Sequence, residues 1–260
     1  MVSTPVSAAK DVVQRAGENL IKHFGNVEIT NNKSHNAADV VTRLDTETEK
    51  FIEEELAKFD SSIGFCGEEF GKRNDATKFW IVDPIDGTGH FVRGIPFCTT
   101  MIGLIDGGKV IASVIYNFVT KELFEAEIGK GAYLNGKKIS VSSRALKDSY
   151  VSVESRLRND NDIRIYKEIR NKSVPIHTIS CGYEYGLVAT GKIDGRICFD
   201  SYGGDYDYAP VSLLVSEAGG VVKNIGKNTY DYTNHDFLAV NPEIYRELTE
   251  GDGALFPINK

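Results

Sequence analysis

The sequence predicts a mixed α/β protein, with an α+β N-terminal half and an α/β C-terminal half. Three observations carry this reading: two stretches of helical periodicity at the start, a run of hairpin signals in the middle, and an alternation of short apolar runs with helical periods beyond residue 145.

Taken in order, Val12, Val13, Ala16, Leu20, Ile21 and Phe24 recur at helical spacing and define one inward face, which Gly25 ends. A second helix opens near Thr42 and turns Leu44, Phe51, Ile52, Leu56 and Phe59 inward, leaving Glu47, Glu49, Lys50, Glu53 and Glu54 as a solvated face. Ile63, Gly64, Phe65 and Cys66 read as a strand, and so do Phe79, Trp80 and Ile81, the latter stopping where Pro84 leads into a turn. An antiparallel sheet follows. Asp106-Gly107-Gly108-Lys109 separates residues 100–105 from 110–118, and Asn135-Gly136 is a two-residue turn signal before 137–139. Beyond it, segments 151–153, 176–180, 196–199 and 237–240 read as strands, and 162–170, 182–190, 207–218 and 242–248 as helices. The halves are expected to divide at residues 1–145 and 146–260, a soft boundary between parts packed closely enough to count as one domain.

Composition narrows the function. The chain has 260 residues, 41% hydrophobic and 26% charged, enough for a sizeable core. Its net charge of −7 and pI near 5.4 come without a basic stripe, which argues against nucleic-acid binding. No apolar stretch reaches membrane-spanning length, and the N-terminus lacks a signal-peptide core. Cys66, Cys98, Cys181 and Cys198 are scattered among apolar or small residues, as core thiols of a reducing compartment are, so a cytoplasmic location is expected.

The densest chemical signal is Val82-Asp83-Pro84-Ile85-Asp86-Gly87-Thr88-Gly89. Two aspartates three positions apart at a strand edge can converge on one point, the cluster a hard divalent cation takes. Gly87 and Thr88 add backbone N–H groups and a hydroxyl suited to phosphate. Asp, Pro and Gly also make ordinary polar turns. Upstream, Gly67-Glu68-Glu69 ends the earlier strand; paired acids there are otherwise solvated surface. Downstream, Asp207 opens an apolar helix and can serve as a cap, a metal ligand or both.

Together these motifs resemble the inositol monophosphatase family of magnesium-dependent, lithium-sensitive phosphatases. The family's D-P-[IL]-D-G-T follows an apolar strand, as here after Trp80-Ile81-Val82; its G-E-E is Gly67-Glu68-Glu69; its W-D-x-A-A-G and E-A-G-G correspond to Tyr206-Asp207-Tyr208-Ala209-Pro210-Val211 and Glu217-Ala218-Gly219-Gly220. The likeness runs from the first helix to Asn241. It implies a layered αβαβα sandwich with the active site between the halves, and hydrolysis of a small polyol or sugar phosphate, inositol monophosphate above all, by a metal-activated water. Fructose 1,6-bisphosphatase, histidinol-phosphatase and 3′-phosphoadenosine 5′-phosphate phosphatase are alternatives within that chemistry, and a non-catalytic metal- and phosphate-binding relative is an alternative outside it.

Carried over residue by residue, Glu68, Asp83 and the carbonyl of Ile85 would hold a first magnesium, and Asp83, Asp86 and Asp207 a second, with a third and weaker one near Glu68. Asp45 and Thr88 match the pair that activates the water, with Glu68 beside them; the segment that leads to Asp45 is entered through Lys33 and Asp39. As an alternative, Asp45 is a first-turn helix carboxylate. Asp86, Gly87, Thr88, Ser180, Cys181 and Asp200 are the substrate-side residues, although Asp200 also reads as a solvated turn acid. A homodimer is expected. The chain departs from the pattern at His90, Ile179, Cys181, Tyr206 and Pro210-Val211, which touches specificity more than catalysis; Pro210 is tolerable in a first helical turn. His90 and His177 lack ligand spacing and read as ordinary polar or packing residues.

Overall fold

The computed structural model describes residues 4–26, 29–32, 40–73, 75–147, 149–176 and 180–258, with only the backbone of 29–32, 40 and 41. Lys33, Asp39, His177 and Ile179 lie outside the described residues. In chain order the elements are α1 (Pro5–Leu20), β1 (Ile29–Asn32), β2 (Val40–Thr42), α2 (Arg43–Phe59), β3 (Gly64–Gly67), β4 (Gly71–Lys72), β5 (Lys78–Asp86), α3 (Thr88–Arg93), β6 (Thr99–Asp106), β7 (Lys109–Asn117), β8 (Glu122–Glu127), β9 (Gly131–Leu134), β10 (Lys137–Lys138), β11 (Tyr150–Glu154), α4 (Asp160–Lys172), β12 (Val174–Ile176), α5 (Cys181–Ala189), β13 (Gly195–Cys198), α6 (Asp205–Glu217), β14 (Val221–Asn224), β15 (Phe237–Val240) and α7 (Pro242–Thr249).

Two large sheets and three helical layers result. The first sheet runs β10-β9-β8-β7-β6-β5-β3-β4 and the second β12-β11-β13-β15-β14. On the outer face of the first, Val13 and Ala16 of α1 and Ile52 and Leu56 of α2 pack on Trp80, Ile102 and Val114. Between the sheets, Tyr185 and Val188 of α5 and Val211 and Leu214 of α6 join Met101, Ile115 and Phe124 to Phe237 and Ala239. Outside the second sheet, Ile165 and Ile169 of α4 and Ile244 and Leu248 of α7 cover Val151, Ile197 and Leu238. The expected αβαβα layering is therefore observed. Helix α6 sits in the central layer, and Val211, Leu213, Leu214 and Val215 are all buried, as a helix apolar on every side requires.

The hairpin turns fall where the sequence puts them. Asn135 and Gly136 both have positive φ, 48° and 75°, the backbone of the tight turn that matches strand twist.

Five details differ from expectation. The first sheet is mixed, because β3 and β5 pair in parallel. Strand β5 does not stop at Pro84 but continues to Asp86. Ile21 caps the end of α1 and is 41% exposed, because one residue past the buried Leu20 the helix has turned about 100° off the inward face. Glu49 is fully buried instead of solvated. Pro210 is the sixth residue of α6, beyond the first turn, and its ring sits against β6 where Gly103 leaves room: a Cβ there would lie 3.3 Å from Pro210 Cγ.

Candidate active site

The site begins with an irregularity in β5. On a regular strand, residues three apart face opposite sides of the sheet. Here Asp83 pairs with Met101 and Asp86 with Thr99, so three steps on β5 oppose two on β6. This is a bulge, and it sits at Pro84, which has no N–H for a ladder. The Thr100 hydroxyl donates to the Pro84 carbonyl at 2.9 Å and fixes it. The extra residue turns Asp83 and Asp86 toward the same place.

Asp207 reaches that place from the first turn of α6. One oxygen from each of Asp83, Asp86 and Asp207 lies within 4.8 Å of the others. Asp86 is held by four donors: the Cys181 and Gly182 N–H groups at 2.8 and 2.9 Å, and the Ser180 and Thr99 hydroxyls at 2.7 and 2.8 Å. Two of these belong to the opening turn of α5, whose N–H groups have no acceptor inside the helix. Gly182 is required there, since a Cβ would meet the Thr99 hydroxyl at 2.3 Å. Asp207 accepts the Gly204 N–H at 2.7 Å.

A second arm comes from α2 and α3. Asp45 accepts both the N–H and the hydroxyl of Thr42 at 2.7 Å through Oδ2, and the Thr88 hydroxyl at 3.0 Å through Oδ1. Asp45 is thus the partner in a capping box and a neighbour of the site at once. The same Thr88 hydroxyl lies 2.9 Å from the Ile85 carbonyl. Gly87 precedes α3 with φ 76°, and a Cβ there would sit 2.7 Å from the Phe97 carbonyl. The loop carrying Glu68 is anchored by a residue that sequence reasoning misplaced. Glu49 accepts the Glu69 and Phe70 N–H groups at 2.7 and 3.0 Å. Gly67 allows this, because a Cβ would fall 2.1 Å from the Glu49 carboxylate. The signal was in the helical period: Asp45, Glu49, Ile52 and Leu56 form one buried stripe.

The electrostatics are strained in one direction. Burial, then the charges of Glu68, Asp86 and Asp207, hold the Asp83 carboxyl well above its usual range. Burial and Glu68 do the same to Asp207. Burial raises Asp86 and Asp45 as well, against the pull of their hydrogen bonds. Asp83 Oδ1 is buried with no hydrogen-bond partner among the described residues. An orphaned carboxylate oxygen among like charges fits a hard divalent cation, which supplies the missing positive partner.

The remaining candidates are more dispersed. Ser180 and Cys181 join the site through Asp86, and the Cys181 thiol faces the Asp207 carbonyl at 3.6 Å. Asp200 adopts a left-handed backbone, φ 47°, and its carboxylate is gripped by the Arg158 guanidinium. That pair lowers the Asp200 pKa. His90 contacts the Phe97 carbonyl at 3.1 Å through Nδ1. Sequence reasoning missed Glu154 and Arg196, a buried ion pair beneath the loop that leads to Asp207.

Comparison with known proteins agrees with this geometry. Residues 2–254 match the profile of the inositol monophosphatase family. The chain belongs to the inositol monophosphatase family. It is 34% identical over 216 residues to inositol-1-monophosphatase of Rhizobium meliloti (strain 1021), covering 80% of each. It is 33% identical over 259 residues to inositol monophosphatase 1 of Solanum lycopersicum, covering 94% of this chain and 93% of the relative. Among solved structures, extragenic suppressor protein suhB from Bartonella henselae superposes with a TM-score of 0.82 at 30% identity, over 91% of this chain and 93% of the other. The Thermotoga maritima IMPase gives 0.81 at 27% identity, over 91% and 92%. The family is one of metal-dependent phosphatases, and the chain is a phosphoric monoester hydrolase. Among the described residues, no helix is long and apolar enough to cross a membrane.

Proposed function

We propose that this chain hydrolyses the phosphate monoester of a small polyol, inositol monophosphate first, with two or three magnesium ions. Glu68, Asp83, Asp86, Asp207 and the Ile85 carbonyl would hold them. The observation that carries the reading is the convergence of Asp83, Asp86 and Asp207 within 4.8 Å, with Asp83 Oδ1 buried and unpartnered among the described residues. Bound divalent cations supply charge neutralisation and a water of lowered pKa.

The chain's own groups do the rest. The Thr88 hydroxyl, between Asp45 Oδ1 and the Ile85 carbonyl, orients the attacking water and passes its proton toward Asp45. The N–H groups of Gly87 and Thr88 receive phosphate oxygens, and the Ser180–Cys181 turn holds Asp86 in place from the opposite side. Residues 1–145 and 146–260 are two tightly packed halves with the ester bound between them. Lithium sensitivity and a homodimer belong to the same reading and rest on family likeness, and a cytoplasmic location rests on the four scattered cysteines.

The Arg158–Asp200 pair favours a second reading of the substrate. A carboxylate already paired with a guanidinium is a weaker acceptor for polyol hydroxyls, and an ester with a further anionic group could compete with Asp200 for Arg158. One experiment addresses both. Phosphate release is measured with magnesium, and again after chelation, on inositol monophosphate, fructose 1,6-bisphosphate, histidinol phosphate and 3′-phosphoadenosine 5′-phosphate. Magnesium-dependent turnover highest on inositol monophosphate is expected; a preference for a bisphosphate selects the second reading. No turnover on any of the four would reject both readings of the substrate.

A further inference from the structure

We propose that Glu154, clamped by Arg196, is a positioning residue that sets Asp207 by organising the loop before α6, an inference that rests on reading Asp207 as a magnesium ligand. Glu154 stands at the end of β11 and Arg196 on β13, and both are buried. The two carboxylate oxygens have separate tasks. Oε2 pairs with Arg196 Nη2, while Oε1 accepts the Tyr202 N–H at 2.8 Å and the Tyr208 hydroxyl at 2.6 Å. The Tyr208 hydroxyl in turn accepts the Gly203 N–H at 2.9 Å. The next N–H, that of Gly204, goes to Asp207 Oδ2 at 2.7 Å. Three consecutive N–H groups are therefore spent on Glu154, on a hydroxyl that Glu154 holds, and on Asp207.

The loop has no slack. A Cβ on Gly203 would lie 2.6 Å from the Tyr208 hydroxyl and 2.7 Å from Asp207 Oδ2. The hydroxyl and Asp207 Oδ2 thus press on the same point of the backbone. Fixing Asp207 Oδ2 on Gly204 fixes the direction of its other oxygen. Arg196 is itself braced: its Nη1 lies 2.9 Å from Glu184 Oε2, and its guanidinium carbon is 4.8 Å from the Tyr185 ring centre. Removing the Tyr208 hydroxyl keeps the ring packing but leaves the Gly203 N–H without its acceptor, and Glu154 Oε1 keeps only the Tyr202 N–H.

The test is Tyr208→Phe, with magnesium affinity measured by calorimetry on the substrate-free protein and the magnesium concentration for half-maximal activity measured separately. The dissociation constant and the half-maximal concentration are both expected to rise about 10-fold or more, the scale for loss of a group that orients a metal ligand. Ser152→Ala is the structural control, because the Ser152 hydroxyl donates to Glu184 in the same buried cluster without touching the loop. It is expected to lower the melting temperature and leave magnesium affinity within about 2-fold. Asp207→Asn separates the two readings. If Asp207→Asn binds magnesium like the parent, the metal assignment falls and takes this inference with it. If Asp207→Asn weakens binding while Tyr208→Phe does not, or if Ser152→Ala weakens it as much as Tyr208→Phe, Glu154 is only a structural ion pair and the inference fails alone.

Discussion

Buried carboxylates gather twice at the centre of this protein, with opposite electrostatics. At Asp83, burial and three neighbouring acids push the same way, and the carboxyl is held well above its usual range. At Glu154, burial also pushes upward, but the Arg196 charge and the hydrogen bonds of Tyr208 and Tyr202 outweigh it, so the pKa falls below the usual value. The two groups are close enough for Glu154 to raise the Asp207 pKa. One carries its counter-charge in the covalent chain, and the other leaves that place to a ligand. A buried acid that the fold neutralises is architecture; one that the fold leaves in conflict with its neighbours is a binding site held ready.

The largest effect that can break this contrast is at Asp83. Asp83→Asn is expected to cut turnover about 10³-fold or more, as loss of a central electrostatic group does. The same change is expected to raise the melting temperature of the chelated protein, because it removes one of the conflicting charges. A variant less stable than its chelated parent would mean that the cluster is not strained. Thr88→Ala should lower kcat about 10²-fold with little change in magnesium affinity. If KM rises and kcat holds, Thr88 is a phosphate contact only.

Arg196→Met should give the reverse of Asp83→Asn in stability. It strands Glu154 and Glu184 without their cation, and urea unfolding should show a loss of about 3–5 kcal/mol. A loss below about 1 kcal/mol would show that the buried pair is not what compensates those acids. The pH dependence separates the groups again. Asp83, Asp86 and Asp207 have raised folded pKa values, so their contribution to stability is present below the unfolded value near 4 and is lost as pH rises through the folded values. Glu154 is lowered, so its contribution is present above the unfolded value and is lost as pH falls through the folded one. The gain in melting temperature on adding magnesium should therefore be larger at pH 8 than at pH 5.5. An equal gain at both would separate metal binding from the acidic cluster. The smallest effect is expected at Asp200, whose partner is an exposed arginine: Asp200→Ala should move KM for inositol monophosphate about fivefold at most, measured against glycerol phosphate as the control ester.

Much of this was legible in the sequence wherever the signal was local. The α/β class, the Asn135-Gly136 turn and the convergence of Asp83 and Asp86 follow from periodicity, turn chemistry and spacing, whereas the αβαβα layering and the full ligand set with Asp207 came from the resemblance to the family. What escaped depends on partners far along the chain. Glu49 looks like one more acid on a charged helix until Glu69 and Phe70 arrive from 20 and 21 residues away to use its oxygens. Glu154 and Arg196 are 42 residues apart and meet only because β11 and β13 are neighbours. Pro84 reads as the end of a strand, because its missing N–H breaks a ladder; that it marks a bulge inside β5 depends on the register with β6.

The acidic cluster also bears on the order in which the molecule assembles. Asp83 and Asp86 arrive together on one strand, while Asp207 joins only when α6 docks between the sheets. Hydrophobic packing drives that docking, yet it brings a third negative charge onto two others as it completes. Repulsion should therefore slow this step, and a divalent cation that screens the three charges should act mainly on it. Refolding followed by stopped flow should show magnesium speeding the slowest phase and leaving the early ones unchanged, and Asp207→Asn should make that phase insensitive to the ion.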